Sequence, residues 1–282
     1  MGIDLDAYRE QSRATWDRMA PGWEDRREWF MEITGRVNAW LADALGPQGG
    51  KTVLELAAGT GDLGFLVAER AGGGARVIST DFSPEMVDVA RRNGEARGAA
   101  DVEYRVLDAE RMDLEDDSVD AVACRWGYML MADPAAALGE TRRVLRAGGP
   151  LAFAVWSTPD RNPWATLPAM TLIQRGHMPP PAPGAPGLFS MGDEARLREL
   201  VTGAGFGDPE IEEITFDFVF AGFGDVWDML IRLAGPFAQV IGSLPADEQE
   251  ATRAAIEQAL AEQRAEDGSY RAPASTWGVL AR

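Results

Sequence analysis

The stretch Val53-Leu-Glu-Leu-Ala-Ala-Gly-Thr-Gly-Asp-Leu-Gly64 decides the fold of this chain. It begins with a short apolar run of the kind found in buried strands, Val53 to Leu56. Residues 57 to 61 then have almost no side-chain bulk, and a helical pattern of apolar residues follows them. A strand that meets a helix through a glycine turn lets a ligand contact the backbone N–H groups at the start of the helix. The stretch therefore predicts a ligand-binding strand–turn–helix unit.

The residues of this turn leave two kinds of ligand open. Gly59 to Gly64 fits the dinucleotide pattern G-x-G-x-x-G, which is weak evidence when it stands alone. Glu55 argues against a dinucleotide, because a carboxylate near the end of a buried strand is costly unless a cation or a hydrogen-bond donor meets it. A pyrophosphate would be repelled there, whereas an amino-acid ammonium group or a sulfonium would be attracted.

The same residues resemble the first motif of the class I S-adenosylmethionine-dependent methyltransferases, which reads roughly E-x-A/G-x-G-x-G. Ala58 stands where that family often has Gly or Cys. Later landmarks follow in the family's order between about residues 50 and 156. They are Asp81 at the end of an apolar run, the stretch Phe82-Ser-Pro-Glu-Met86, the pair Asp108-Ala109, the fourth strand at 118 to 124 and the turn Arg142 to Gly149.

The resemblance implies S-adenosylmethionine as cofactor and S-adenosylhomocysteine as product. It places Asp81 on the ribose hydroxyls, Asp108 and the Ala109 N–H on the adenine, and Phe82 and Met86 around the adenine ring. The methionine part would lie in the open turn, with Glu55 acting on its ammonium directly or through water or a neighbouring side chain. The other predicted cofactor residues are Ala57, Ala58, Gly59, Thr60, Gly61, Ser83 and Arg125 with its carbonyl group.

Residues 51 to 156 alternate strand and helix five times, which is typical of a parallel sheet covered by helices on both faces. We therefore predict an α/β fold with a doubly wound, mostly parallel, Rossmann-like sheet. The resemblance implies seven strands, with the last one (Tyr270 to Leu280) antiparallel between the fifth and the sixth. Since such sheets bind ligands at the carboxyl ends of their strands, we expect four side chains to converge there, those of Glu55, Asp81, Asp108 and Arg125.

The remaining segments are predicted to form helical lid elements around this sheet. Residues 1–48 read as a tryptophan-rich helical cap in which Pro21 breaks the first helix. Residues 49–282 form the methyltransferase domain, with 157–192 as an irregular, proline-rich loop or lid and 223–268 as an insertion of two helices. We expect these lid elements to close over the crevice and to shape the pocket of the methyl acceptor.

The acceptor side offers fewer signals. His177 is the only histidine and is the candidate general base, although a single histidine in a loop is often merely solvated. Trp126 and Tyr128 follow the fourth predicted strand and are the candidate substrate contacts. An aromatic, proline-bounded pocket favours a neutral or apolar organic substrate over a macromolecule.

Composition restricts the class of partner. A net charge of -18 disfavours nucleic acid and anionic membrane, because phosphate contacts need clustered Lys and Arg. The only cysteine is Cys124, so an internal disulfide is excluded and a reducing compartment is indicated. With neither a signal-peptide pattern nor a membrane-length apolar run, we expect a cytoplasmic protein with a small-molecule substrate and no metal. A homodimer is the assembly to be tested.

Together these observations predict an enzyme that moves a methyl group from S-adenosylmethionine to an O, N or C atom of a small organic metabolite. The resemblance is strongest to the ubiquinone/menaquinone-biosynthesis-like small-molecule methyltransferases. Two alternatives stay open: an NAD(P)-dependent oxidoreductase, prompted by the glycine pattern, and a non-catalytic S-adenosylmethionine-binding regulatory protein.

Overall fold

A seven-stranded sheet forms the centre of the computed structural model. The strands in chain order are β1 (Thr52–Leu56), β2 (Arg76–Asp81), β3 (Val102–Val106), β4 (Ala121–Arg125), β5 (Leu151–Trp156), β6 (Glu210–Phe220) and β7 (Tyr270–Ala281). In space they follow the order β3-β2-β1-β4-β5-β7-β6, and β7 pairs antiparallel with β5. The predicted position and direction of the last strand are confirmed.

The structure describes residues 4–46, 48–182 and 184–282. Three parts of the sequence predictions lie outside the described residues, namely residues 1–3 of the helical cap, Pro47 after its second helix and Pro183 in the proline-rich run. The chain divides into two compact units. The first comprises Met1–Ser157, Ala185–Ile214 and Thr276–Arg282, and the second comprises Thr158–Gly184 and Thr215–Ser275.

Ten helices are assigned in the described part of the chain. They are α1 (Leu5–Asp25), α2 (Arg27–Leu45), α3 (Asp62–Arg70), α4 (Pro84–Arg97), α5 (Pro134–Val144), α6 (Pro163–Gln174), α7 (Glu194–Gly203), α8 (Phe223–Arg232), α9 (Gly235–Ser243) and α10 (Ala246–Ala259). Within those residues, no helix combines the length and the apolar character that a membrane crossing requires.

The first unit has the layered arrangement that its sequence alternation predicts. Every residue of β5 is buried, as expected of a central strand covered on both faces. The connections from β1 to β2 and from β2 to β3 contain α3 and α4, and these helices pack together, with Phe65 of α3 against Gly94 of α4. In addition, α2 contacts α3, α1 contacts α4, and α5 contacts α7. Because α3 follows β1 and α4 follows β2 along the chain, both helices start near the carboxyl ends of those strands.

Three details of the helix prediction are wrong. Pro21 lies inside α1, because the aromatic side chains of Trp16 and Trp23 pack on the same buried cluster on either side of it. The predicted irregular segment 157–192 contains α6, which begins with Pro163 at its first position, where proline is tolerated. Residues 223–259 form three helices rather than two, since the helical conformation also ends between α8 and α9.

The second unit has its own apolar interior. Its helices α6 and α10 pack together, and the ring of Trp164 lies 4.8 Å from that of Phe218. Arg175 and His177, which follow α6, both contact the carboxylate of Glu248 on α10. Two side-chain contacts thus join the end of α6 to α10.

Candidate functional site

The turn after β1 is held open by its backbone conformation. Ala57, Gly59 and Gly61 have φ angles of 51°, 56° and 85°, in the region that favours glycine. The turn is fixed to the neighbouring strand by a bond from the Ala58 N–H to the Thr80 carbonyl at 2.9 Å. It closes with the Gly61 N–H donating to the Ala58 carbonyl at 3.0 Å, and α3 begins immediately afterwards.

The two glycines of this turn have different surroundings. A methyl group built on Gly61 would lie 2.7 Å from the ring of Phe65 and 3.2 Å from Ala90, so this glycine is required by packing. A methyl group built on Gly59 would meet no protein atom within 4 Å. The Gly59 backbone therefore faces open space, which a ligand is able to enter.

Glu55 lies beneath the start of α3. Its carboxylate accepts bonds from the Gly64 N–H at 2.9 Å and from the Ser79 hydroxyl at 2.6 Å. Burial raises the pKa of Glu55 to about 7, although these two bonds and the Arg125 charge act in the opposite direction. A side chain at Gly64 would collide with this carboxylate. Gly64, the third glycine of the dinucleotide pattern, is thus explained by Glu55 without any phosphate.

Asp81 joins the first two strand ends. Its carboxylate accepts from the Gly59 N–H and from the Ser83 N–H, each at 2.9 Å. Its carbonyl accepts from the Leu107 N–H, which follows β3, at 2.9 Å. Burial raises the pKa of Asp81 to about 6, against the effect of its backbone hydrogen bonds. This one residue fixes the relative positions of three loops.

The segment after Asp81 starts α4 as predicted, with Ser83 capping the helix through its bond from the Met86 N–H. Phe82 is half-buried, and the guanidinium of Arg13 lies 4.3 Å from the centre of its ring. Met86 is buried in a cluster formed by α1 and α4. The structure therefore places Phe82, but not Met86, at the accessible edge of the predicted adenine slot.

The loop after β3 carries a buried acid that the sequence reading missed. The Asp108 carboxylate accepts from the Glu110 N–H at 2.9 Å, and Ala109 is buried between them. Glu110 accepts from the Arg9 guanidinium at 3.0 Å, from the Ala132 N–H and from the Asp133 N–H. The only signal in the sequence was its position directly after the motif pair Asp108-Ala109.

The helix α1 is fixed to the segments that follow β2, β3 and β4. The Tyr8 hydroxyl donates to the Leu130 carbonyl at 3.0 Å, and burial raises the pKa of Tyr8 to about 12. Arg9 pairs with Glu110 after β3, and Asp17 accepts from the Ser83 hydroxyl after β2. These contacts place the N-terminal helix over the crevice, in the same compact unit as the sheet.

Arg125 ends β4 on the same face of the sheet. Its guanidinium lies 5.5 Å from the ring of Phe30 and 5.2 Å from that of Trp126, and its Nη1 lies 3.4 Å from the sulfur of Met31. Burial lowers the pKa of Arg125, while the charges of Asp62 and Glu55 raise it. The side chain, and not only the predicted carbonyl, thus belongs to this region.

The two candidate substrate contacts are packed into the protein. Trp126 stacks on Trp156 with ring centres 4.4 Å apart, and its Nε1 donates to the Thr276 hydroxyl at 2.9 Å. Tyr128 has no exposed surface, and its hydroxyl lies 2.7 Å from that of Thr141 on α5. The structure does not bring Tyr128 to the crevice, because its ring fills the space between the sheet and α5.

The predicted base, His177, lies in the second unit. Its Nε2 is 2.9 Å from the Glu248 carboxylate, which also pairs with Arg175. His177 therefore takes part in a local charged cluster. Across the described residues, no group of three or more His, Cys, Asp and Glu side chains is arranged to hold a metal ion.

The remaining predicted residues meet at one place. The bonds described above link four parts of the site at the carboxyl ends of β1, β2 and β3. These parts are Glu55, the turn from Ala57 to Gly61, Asp81 and the loop from Asp108.

Residues 53–149 match a family described as a methyltransferase domain. A demethylmenaquinone methyltransferase from Thermus thermophilus is 39% identical over 142 residues, which make up 50% of this chain and 60% of that protein. Another, from Clavibacter sepedonicus, is 32% identical over 180 residues, or 63% of this chain and 67% of that protein.

The chain belongs to the class I S-adenosylmethionine-dependent methyltransferases. The matches to the two relatives span roughly two thirds of their own length. The fold of this family is also seen in phosphoethanolamine N-methyltransferase 2 from Haemonchus contortus, in complex with S-adenosylhomocysteine. That structure has a TM-score of 0.59 at 18% identity and covers 96% of this chain and 60% of its own.

Proposed function

We propose that this chain transfers a methyl group from S-adenosylmethionine to a small organic acceptor of the quinone-precursor type. The observation that carries the proposal is the link from the open turn at Gly59 to the carboxylate of Asp81. It sets an acceptor for hydroxyl groups beside a stretch of accessible backbone. That combination suits a ligand with a ribose at one end and an amino acid at the other.

The described residues fit the cofactor. Asp81 would accept from the ribose hydroxyls, Phe82 would pack on the adenine, and Asp108 with the Ala109 N–H would bind the adenine edge. The turn from Ala57 to Gly61 would hold the methionine part. When bound, S-adenosylmethionine supplies an activated methyl whose bond to sulfur breaks as the bond to the acceptor forms, leaving the electron pair on sulfur.

Glu55 has an indirect role in this proposal. Its side chain is only 2% exposed, and both of its oxygens accept bonds from the protein. It would therefore fix the start of α3 under the turn without touching the cofactor and, in its ionised form, add negative charge below the ammonium group. Of the alternatives left open by the sequence, the indirect action of Glu55 is the one we propose.

The residues around the crevice act by positioning and by exclusion of water. The helix α1 covers the strand ends through Tyr8, Arg9 and Asp17. Since methyl transfer is a displacement at an activated carbon, holding donor and acceptor in line supplies much of the rate, on the order of several kcal/mol. The role of His177 as base, the homodimer and the cytoplasmic location stay predictions.

The acceptor class is inferred from the relatives, both of which carry the name demethylmenaquinone methyltransferase. Phe30 and Trp126 pack edge to face near the cofactor turn, so the protein around this turn is aromatic. We therefore propose a planar, aromatic or quinoid acceptor. The transferred methyl group would go to a carbon or an oxygen of that ring system.

Binding and turnover measured on the same preparation test the proposal against its two rivals. We expect S-adenosylhomocysteine, but not NAD, to raise the melting temperature, and Asp81→Asn to remove most of that shift. Methyl transfer from labelled S-adenosylmethionine to a panel of hydroquinones and naphthols is expected next. Stabilisation by NAD alone would establish the oxidoreductase, and tight S-adenosylhomocysteine binding without turnover on any acceptor would favour the regulatory protein.

A further inference from the structure

The guanidinium of Arg125 carries a charge that the protein itself does not neutralise by contact. Within the part of the chain that the structure describes, its only hydrogen-bond partner is the sulfur of Met31, a weak acceptor at 3.4 Å. Its other neighbours are the ring faces of Phe30 and Trp126. A half-buried arginine with five N–H donors is thus surrounded by apolar and aromatic groups.

The nearby carboxylates are engaged elsewhere. Asp62 forms a two-pronged ion pair with Arg27, with one contact at 3.0 Å, and accepts from the Thr60 hydroxyl. Glu55 accepts from Gly64 and Ser79. Both acids stabilise the charged form of Arg125 at a distance, without a hydrogen bond to it. Arg125 is half-buried, so its charge is only partly hydrated and has no hydrogen-bonded anion within the described residues. An anionic ligand at the guanidinium would offset that cost.

The position of Arg125 relates that charge to the crevice. In the pairing of β1 with β4, Leu56 lies opposite Cys124, so Arg125 is level with Ala57 at the start of the cofactor turn. The next residue, Trp126, has a φ of 58°, which is rare for a bulky side chain. Non-glycine residues in that region concentrate at functional sites, where surrounding contacts hold the strain. The backbone of Arg125 therefore lies beside the start of the open turn, and its guanidinium is close enough to Asp62 and Glu55 to feel their charges.

We propose that the Arg125 guanidinium binds an oxyanion of the methyl acceptor, namely the ionised hydroxyl of an aromatic or quinoid ring. The inference rests on the proposed function and adds the charge state of the substrate to it. A planar guanidinium forms directional bonds to an oxyanion. The rings of Phe30 and Trp126, which pack beside it, hold the guanidinium in place. Arg125 is thereby a specificity-determining residue that selects the ionised, more nucleophilic form of the acceptor.

The test uses two probes of nearly the same shape and a protein already loaded with S-adenosylhomocysteine. Lawsone is a hydroxynaphthoquinone whose hydroxyl is ionised at neutral pH, and menadione carries a methyl group in place of that hydroxyl. Calorimetric titration is expected to give at least about tenfold tighter binding of lawsone, since a charge-assisted bond contributes about that factor. Arg125→Met should remove this preference, and Arg125→Lys, which keeps the charge, should retain part of it.

Control measurements separate the charge from a structural role. The affinity for S-adenosylhomocysteine should be the same in all three proteins, and the melting temperature of Arg125→Met should be unchanged or higher, because a desolvated charge has been removed. Loss of S-adenosylhomocysteine affinity with an unchanged lawsone preference would overturn the inference and assign Arg125 to the cofactor carboxylate. Equal binding of lawsone and menadione by the wild type would also overturn it. If the wild type failed to bind S-adenosylhomocysteine, the proposed function itself would fail.

Discussion

The turn after β1 and the connection after β4 are neighbours, but one is open and the other is filled by its own side chains. Each follows a central parallel strand, and each opens with a non-glycine residue of positive φ, Ala57 at 51° and Trp126 at 58°. The two segments lie close together. A methyl group built on Gly127 would lie only 2.6 Å from both the Ala57 Cβ and the Cys124 sulfur. The first segment leaves its backbone open at Gly59, whereas the second fills its space with aromatic side chains.

This difference explains which sequence signals point to a ligand. Small residues at a strand end leave backbone groups accessible, so they indicate a binding surface. Aromatic residues at the equivalent position have their own packing partners, as Trp126 has in Trp156 and Tyr128 has in Phe153. Replacing residues in each segment should therefore change ligand affinity in the first and stability in the second.

The largest expected effect concerns Asp81, which connects the open turn to α4. Asp81→Ala should weaken S-adenosylhomocysteine binding about a hundredfold, because one buried charge-assisted acceptor is lost together with the support of Gly59. Isothermal titration of wild type and variant measures the loss. Asp113→Ala, which removes an exposed carboxylate from the connection between β3 and β4, is the matched control and should bind normally. Equal affinity in Asp81→Ala would remove the ribose assignment.

The next effect is a pH dependence of stability that originates beneath the open turn. The pKa of Glu55 is about 7 in the folded protein, above its ordinary value of 4.5. Between these values the folded state holds a proton that the unfolded chain has released, so this contribution to stability is lost as pH rises through that window. It amounts to about 3 kcal/mol.

Glu55→Gln isolates this contribution, since the amide still offers an acceptor to the Gly64 N–H. Urea unfolding of both proteins at about pH 5 and about pH 8 should show the wild type losing more stability than the variant as pH rises. Parallel changes in the two proteins would mean that Glu55 is ionised in the folded state throughout this range.

A smaller effect distinguishes the two glycines of the open turn. Gly61→Ala should lower the free energy of unfolding by about 2 kcal/mol, because the new methyl group meets Phe65 in a left-handed backbone position. Gly59→Ala meets no protein atom and should cost only about 1 kcal/mol of stability. Its S-adenosylhomocysteine affinity should nevertheless fall the more of the two. Wild-type affinity in Gly59→Ala would show that the open space is not the cofactor's.

The sequence could predict the sheet and the open turn because both depend on local patterns. The alternation of strands and helices and the cap at Ser83 follow from local patterns, whereas the place of β7 between β5 and β6 was implied by the family resemblance. The contacts of Glu110 with Arg9, and the packing of Trp126 on Phe30, join residues about a hundred positions apart. No periodicity encodes such pairs. The contacts that hold α1 over the crevice, and the surroundings of the Arg125 side chain, therefore needed the structure.

The smallest expected effect concerns the connection after β4, the closed segment of this comparison. Tyr128→Phe removes a buried hydroxyl that lies 2.7 Å from that of Thr141, while Thr141 keeps its bond to the Ala137 carbonyl at 2.8 Å. Because the ring still fills its space, the loss of stability should be only about 1 kcal/mol. Affinity for S-adenosylhomocysteine and the turnover number should both match the wild type, since the side chain has no exposed surface. Thr141→Val, which removes the other hydroxyl of the pair, is the matched control and should show the same pattern.

A fall in turnover in Tyr128→Phe alone, at unchanged melting temperature, would mean that the hydroxyl reaches the acceptor during the reaction. The contrast between the open and the closed segment would then have to be given up.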